Sequence, residues 1–471
     1  MVTIQQSSIK DDIVDGINKA KQQGQPILIS STIRIDPIDP ILFYTAGKEL
    51  FFGERFFWKE PHQHITYVGL GAAQIIETMD SNEGRFDQVK KKWDSLLQSS
   101  IRNKNSRRTK IGPLLFGGFS FDPTKKRTDL WRSFPESKFY LPKYMLTIEN
   151  DQTWFTMNVL VTSFDLPEKV YQKLEKRRKE LLGKGNTELS LSMQHTFTEQ
   201  EVEVDEWMKS VETVISQINQ GKFEKAVLAR EIRLYSDEDF NVASILLNLV
   251  QNQPSSYVFA IESDSATFIG STPERLIKKE EDRLFSTCLA GSIKRGKTEK
   301  EDKDLERTLL ADSKNLEEHQ FVVQMITEEL SQVCSSVTKP IRPSIFKAKN
   351  IQHLYTPIVG KAHNGLHLLS IVKRLHPTPA LGGFPQDKAM VAIREHELLD
   401  RGWYAGPIGW IDSEGNGEFA VAIRSGLIQK NEAALFAGCG IVGKSEPEKE
   451  YEETQIKLKP MLTAIGGKAY E

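Results

Sequence analysis

Near its C-terminal end the chain carries three strand-like runs, GWYAGPIGWID (402–412), GEFAVAIRSGLI (417–428) and AALFAGCGIV (433–442). Only short turn segments separate them, Glu414-Gly415-Asn416-Gly417 and Lys430-Asn431-Glu432. Connections this short join antiparallel neighbours, because a parallel crossover needs about a dozen residues or more. Further strands are predicted in PILISSTIRI, TWFTMNVLVTSF, KAVLAREIRLY, SYVFAIES and ATFIGST, rich in β-branched and aromatic residues. Helical spacing comes in blocks. Asp205 is placed to cap a helix bearing Trp207, Val211, Val214, Ile215 and Ile218, with Gly221 as its stop. Another helix covers SILLNLVQN up to Pro254, a long one runs from Asn315 to Val333, and a last one starts near Glu446. Hairpin-joined strands with helices in blocks predict an α+β class, with large antiparallel β-sheets flanked by helices. The charged stretch Glu168 to Lys184 and the polar stretch Gly185 to Gln194 divide the chain. We read an N-terminal α/β region over 1–195, packing on a second region over 200–465, where the candidate catalytic residues described below lie. Gly117-Gly118, inside the aromatic run GPLLFGGFSFDP, reads as a bulge, a close backbone contact or, more commonly, ordinary sheet geometry.

Composition excludes several classes. The chain has 471 residues, 39% of them hydrophobic, which argues for a large core and against disorder. A formal charge of -2 asks for neither nucleic acid nor an anionic membrane. Apolar runs are too short to span a bilayer, and the N-terminus lacks the apolar core of a signal peptide. Cys288, Cys334 and Cys439 form no disulfide framework and match no zinc spacing, so a reducing cytoplasm is expected. No apolar interface helix stands out, and a monomer is expected. Neither a GxGxxG between strand and helix nor a Walker A sequence is present. His62 and His64 in HQH read as a metal pair or, more commonly, as residues of a solvated strand or loop.

A few residues could carry chemistry. Lys225 sits in FEKAVLAR, an otherwise apolar strand, where desolvation makes a lysine a usable base. On spacing alone the commoner reading is a lysine snorkelling from a strand end. Glu274 follows the strand ATFIG behind Pro273, a position that suits a general acid, or an exposed turn with a Glu–Arg pair. Glu318 shares a helical face with Val322 and Ile326, so its carboxylate borders the buried side and needs a cation or a metal. Glu317 points to solvent, and His319 reads as a ligand or, more commonly, as a satisfied helix histidine. Glu450 and Glu453 lie three apart, with Lys457 one turn further on. Such a pair can hold a hard divalent ion or simply be a solvated face. Arg424, with small Ala420 and Ala422 taken to share its strand face, is a fork for a carboxylate. Gly438 and Gly440 offer bare backbone N–H groups to a ligand.

Taken together, these segments resemble a known family. FEKAVLAR, FIGSTPERL, CLAGSIKRG, SKNLEEH, IQHLYTPIVG, LHPTPALGGFP, RGWYAGPIGW, VAIRSG, FAGCGIV and SEPEKEYEET occur in the order found in the chorismate-utilising enzymes. GERFFW (53–58) and GGFSF (117–121) are similar to the N-terminal part of the longer isochorismate synthases, the menaquinone type. The resemblance implies that Lys225 activates water and Glu274 protonates the departing hydroxyl. It implies that Glu318 and Glu450 ligate Mg2+, with Glu453 nearby. Arg424 and Tyr404 would hold a substrate carboxylate, helped by Gly438 and Gly440. Gly291, Ser292, His353, Ala380 and Leu381 would line the pocket, and Lys444 would add a carboxylate contact. Amine-forming members typically carry glutamine where this chain has Lys225. Aminodeoxychorismate synthases often carry lysine at the position of Ala290. Aminating members and salicylate synthases usually carry threonine at that of Ala380. The three together imply water as nucleophile, chorismate as substrate and isochorismate as product, for menaquinone or a siderophore. Ser292 stands where threonine is more usual, which touches only fine pocket geometry.

Overall fold

A computed structural model describes residues 9–63, 65–79, 84–184, 196–348 and 351–466. Its strands are joined in one sheet that turns back on itself, and almost every pairing is antiparallel. One wall holds the strands Tyr257–Ser263, Ala266–Thr272, Ser425–Gln429, Glu432–Ile441 and Lys225–Ser236, in that spatial order. The other holds Ile351–Ala362, Arg283–Lys294, Arg275–Glu280, Gly417–Val421 and Pro407–Asp412. The N-terminal region closes the circuit: Arg55–Lys59 pairs with Tyr257–Ser263, and Leu114–Phe119 pairs with Pro407–Asp412. Trp58, Phe116, Trp131, Phe268, Trp403 and Trp410, drawn from both regions, meet in one buried apolar cluster. The helix Ser313–Ser331 lies on Arg283–Lys294, and the helix Pro447–Ile465 lies on Glu432–Ile441, so each wall carries one helix of the site.

Two short steps carry the chain from wall to wall. Ala266–Thr272 passes to Arg275–Glu280 through Pro273 and Glu274, and Gly417–Val421 passes to Ser425–Gln429 through residues 422–424. The steps are neighbours: Val421 N–H donates to Glu274 C=O at 3.1 Å, and Ser271 N–H donates to Arg424 C=O at 3.0 Å. GEFAVAIRSGLI is therefore two strands and not one. Arg424 takes a left-handed φ of 51° at the break, and Ala420 and Ala422 do not share a strand face with it. Residues 402–406 are likewise turn and not strand, with Gly402 and Ala405 at positive φ.

Smaller expectations also shift. Asp205 lies in the first turn of the helix Val204–Asn219, whose cap position belongs to Glu203. Gly117 and Gly118 make no bulge, since their register with both neighbouring strands is regular. They are close backbone contacts: a Cβ on Gly117 would stand 2.0 Å from Lys138 C=O. His62 is exposed in a short turn at φ 58°, and His64 lies outside the described residues. Among the described residues no helix is long and apolar enough to cross a membrane.

Candidate active site

The corner between the two walls encloses a cavity of about 160 Å³. Glu274 and Arg424 line it from the two steps, and both are buried. Burial pushes the Glu274 carboxyl up to about 7, although the positive charges of Lys225, Lys457 and Arg424 pull the other way. Its neighbour Arg275 does not pair with it but with Glu418, at 2.6 Å. The Arg424 guanidinium makes no hydrogen bond or ion pair among the described residues, although it is 8% exposed. A buried cation without a protein partner is a site for an anion. Tyr404, stacked on Phe436, lines the same space.

On the wall opposite, Gly291 adopts φ 82° and lies against Asn315; a Cβ there would stand 3.1 Å from the Asn315 C=O. The Asn315 side chain accepts from Ser292 N–H at 3.1 Å, and Ser292 Oγ is 2.7 Å from His353 Nδ1. Burial, with Arg424 and Lys457 nearby, pushes the His353 imidazole down to about 3, so it is neutral at physiological pH. Ala380, Leu381, Gly438 and Gly440 complete the lining. Gly440 makes room for side chains as well as for a ligand: a Cβ there would stand 2.8 Å from Lys225 Cε and 2.9 Å from Glu318 Oε1.

At the helix end Glu318, Glu450 and Glu453 are each closed on a lysine. Lys225, fully buried, donates to Glu318 Oε1 at 2.6 Å. Lys314 meets Glu450 at 3.3 Å, and Lys457 meets Glu453 at 2.5 Å while also donating to Gly438 C=O. Burial and the neighbouring charge of Glu453 push the Glu450 carboxyl up. Burial opposes ionisation of Glu453 too, but Lys457 outweighs it and holds that carboxyl below the usual range. Lys314 loses from burial, yet the fields of Glu450, Glu318 and Glu453 together keep its ammonium protonated more firmly than usual. Among the described residues no three carboxylate, histidine or cysteine groups are gathered closely enough to grip a metal. The donor chemistry nonetheless suits a hard cation: the carboxylate oxygens of Glu318 on one helix and of Glu450 and Glu453 on another, the two helices being joined by the Lys314–Glu450 pair.

The predicted residues thus fall into three sets. Glu274, Gly291, Ser292, Glu318, His353, Ala380, Leu381, Tyr404, Arg424, Gly438, Gly440 and Glu453 face one cavity. Lys225 and Glu450 stand just behind it, as the buried partners of Glu318 and Lys314. Lys444 is exposed in the turn before the last helix and lines an adjoining cavity, which shares Lys314 and Glu318 with the first. His319 is satisfied by Ala290 C=O and Thr356 Oγ1. Lys314, Asn315, Arg401 and Lys457 also line the cavity and were not assigned from the sequence. Lys457 left a signal, its helical spacing from Glu453; nothing local distinguishes Lys314, Asn315 and Arg401 from surface polar residues.

The chorismate binding enzyme family matches residues 15–466. The chain is 43% identical over 470 residues to isochorismate synthase MenF of Bacillus subtilis, covering 99% of each. It is 32% identical to the salicylate biosynthesis isochorismate synthase of Pseudomonas aeruginosa, covering 96% of this chain and 93% of that one. The fold matches the menaquinone-specific isochorismate synthase MenF of Escherichia coli with a TM-score of 0.79, at 23% identity, over 96% of this chain and all of the other.

Proposed function

The chain belongs to the chorismate binding enzyme family, and from that premise we propose that it isomerises chorismate to isochorismate in a Mg2+-dependent reaction. The observation that carries the proposal is the corner itself, where a buried carboxyl raised to about 7 faces the same space as an unpartnered buried arginine. Arg424 and Tyr404 take a substrate carboxylate. Glu274 gives its proton to the C4 hydroxyl, which departs as water. A water molecule adds at C2, the ring double bonds shift, and its proton goes to Lys225. Water enters and water leaves, so the product is an isomer and no oxidant or nucleotide is consumed. Each proton transfer typically contributes about 10²–10⁴-fold. Lys225 acts as a base only as the free amine, and Glu318 Oε1, 2.6 Å from Nζ, is within reach of its proton. Neutral His353 and Ser292 can shape the pocket without adding charge.

Glu318, Glu450 and Glu453 would hold the Mg2+. When bound, the ion neutralises the ring carboxylate of the substrate. Similarity over the full length of the Bacillus subtilis relative supports supply of menaquinone synthesis over a siderophore. Three free, buried cysteines suit the cytoplasm. The test is chromatography of the products from chorismate with and without Mg2+. Isochorismate formed only with the ion supports the proposal, and its absence in both cases defeats it. Sustained release of pyruvate would assign the chain to the salicylate synthases instead, a reading that Ala380 disfavours.

A further inference from the structure

Arg401 lines the cavity, yet the proposed chemistry makes no use of it. Its side chain is 3% exposed. Nε and Nη2 form a fork on the Glu397 carboxylate at 2.7 and 2.6 Å. Nη2 also donates to Val227 C=O at 2.7 Å, and Nη1 donates to Leu381 C=O at 2.9 Å. Glu397 in turn accepts from Ala229 N–H at 2.7 Å. The guanidinium lies 4.1 Å over the Phe121 ring, so the N-terminal region closes its remaining face. These donors are committed to protein acceptors, which sets Arg401 apart from the unpartnered Arg424.

The acceptors are informative. Leu381 C=O belongs to the loop of Ala380, while Val227 and Ala229 follow Lys225 on its strand. That loop already touches the strand through Val227 N–H to Gly382 C=O and Glu224 N–H to Phe384 C=O. Arg401 C=O also accepts from Tyr404 N–H at 2.8 Å. A buried, extensively hydrogen-bonded ion pair adds little stability over an apolar filling, but its planar fork fixes geometry. Resting on the isochorismate synthase reading, we infer that Arg401 and Glu397 are a positioning pair. They set the distance between the Ala380–Leu381 loop and the Lys225 strand, and with it the choice of water at C2 over elimination.

The test is Arg401→Lys, which keeps the charge but loses the fork, and Glu397→Gln, which keeps the shape but loses the charge. The readouts are kcat, KM, the ratio of isochorismate to pyruvate, and the thermal midpoint. A misplacement of about 1 Å can cost about 10²-fold, so kcat should fall by about tenfold or more while KM changes little. The pyruvate share should rise; salicylate and pyruvate together hold all the atoms of isochorismate. Parental kcat and product ratio in either folded variant overturn the inference. So does a loss that follows the folded fraction with the product ratio unchanged. If Arg401→Lys does not fold, Glu397→Gln decides by the same readouts. A parent protein that makes no isochorismate would defeat the functional reading instead, which keeps the two failures distinct.

Discussion

At one end of the cavity Glu274 and Arg424 face open space, and neither side chain makes a hydrogen bond among the described residues. At the other end Glu318, Glu450 and Glu453 are each closed on a lysine. The first end holds its groups in the state a ligand needs, through burial and backbone geometry alone. The second is neutralised from within, so that a cation or a substrate must exchange with an existing ammonium contact. A group that serves the ligand should therefore cost activity when removed and leave stability alone, and a group in a closed pair should cost both.

The largest effect is expected at Glu274. Glu274→Gln should lower kcat by about 10²–10⁴-fold, measured by chromatography of chorismate and isochorismate. In the parent, kcat should fall as the pH rises through about 7, because the acid form is the active one. Stability carries the same sign. The native carboxyl keeps its proton up to about 7 while the unfolded one releases it near 4.5. The parent should thus lose up to about 3 kcal/mol between those values as pH rises, and Glu274→Gln should not. Denaturant midpoints at pH 5 and pH 8 check this, and equal slopes in the two proteins would remove Glu274 from the acid role.

Glu318→Gln strands a fully buried Lys225 and should cost about 3–5 kcal/mol of stability, read by urea unfolding. Mg2+ affinity, measured by calorimetry with a substrate analogue present, should fall with it. Parental values of both would mean that the closed pair is incidental. Arg424→Met tests the opposite end. It removes a charged contact worth about 1.5–3 kcal/mol to the substrate, or about 10- to 150-fold in kcat/KM, with no loss in the thermal midpoint. A marked drop in that midpoint would show that Arg424 has a structural duty and would blur the contrast between the ends.

Ala380→Thr should do least. A single added hydroxyl is worth about 0.5–1.5 kcal/mol, enough to slow isochorismate formation and divert part of the flux. The diverted product would be an amine when ammonium is supplied, or salicylate with pyruvate. Unchanged product and rate would mean that residue 380 lines the cavity without meeting the nucleophile.

Local pattern by itself determined much of this protein. Alternation and tight turns near the C-terminus dictate antiparallel pairing, because no crossover fits in three or four residues. Helical spacing placed Glu318 on the border of a buried face and put Glu450 and Glu453 on one face, since both depend only on the period of the helix. Other features depend on distant partners and leave no local trace. Residues 420–426 read as one strand because alanine, isoleucine and arginine all tolerate extended backbone. Only pairing with strands of two different walls forces the left-handed turn at Arg424. Burial of Glu274 follows from the meeting of two steps some 150 residues apart in sequence, beyond the reach of any local pattern. Lys225 read from its strand as a desolvated base or a lysine snorkelling to solvent, but the tertiary structure buries it against Glu318, because Gly440 leaves it room to reach a carboxylate on another element. The kinds of group were thus legible along the chain; which of them stand free and which are neutralised was decided by contacts made only when the sheet closes.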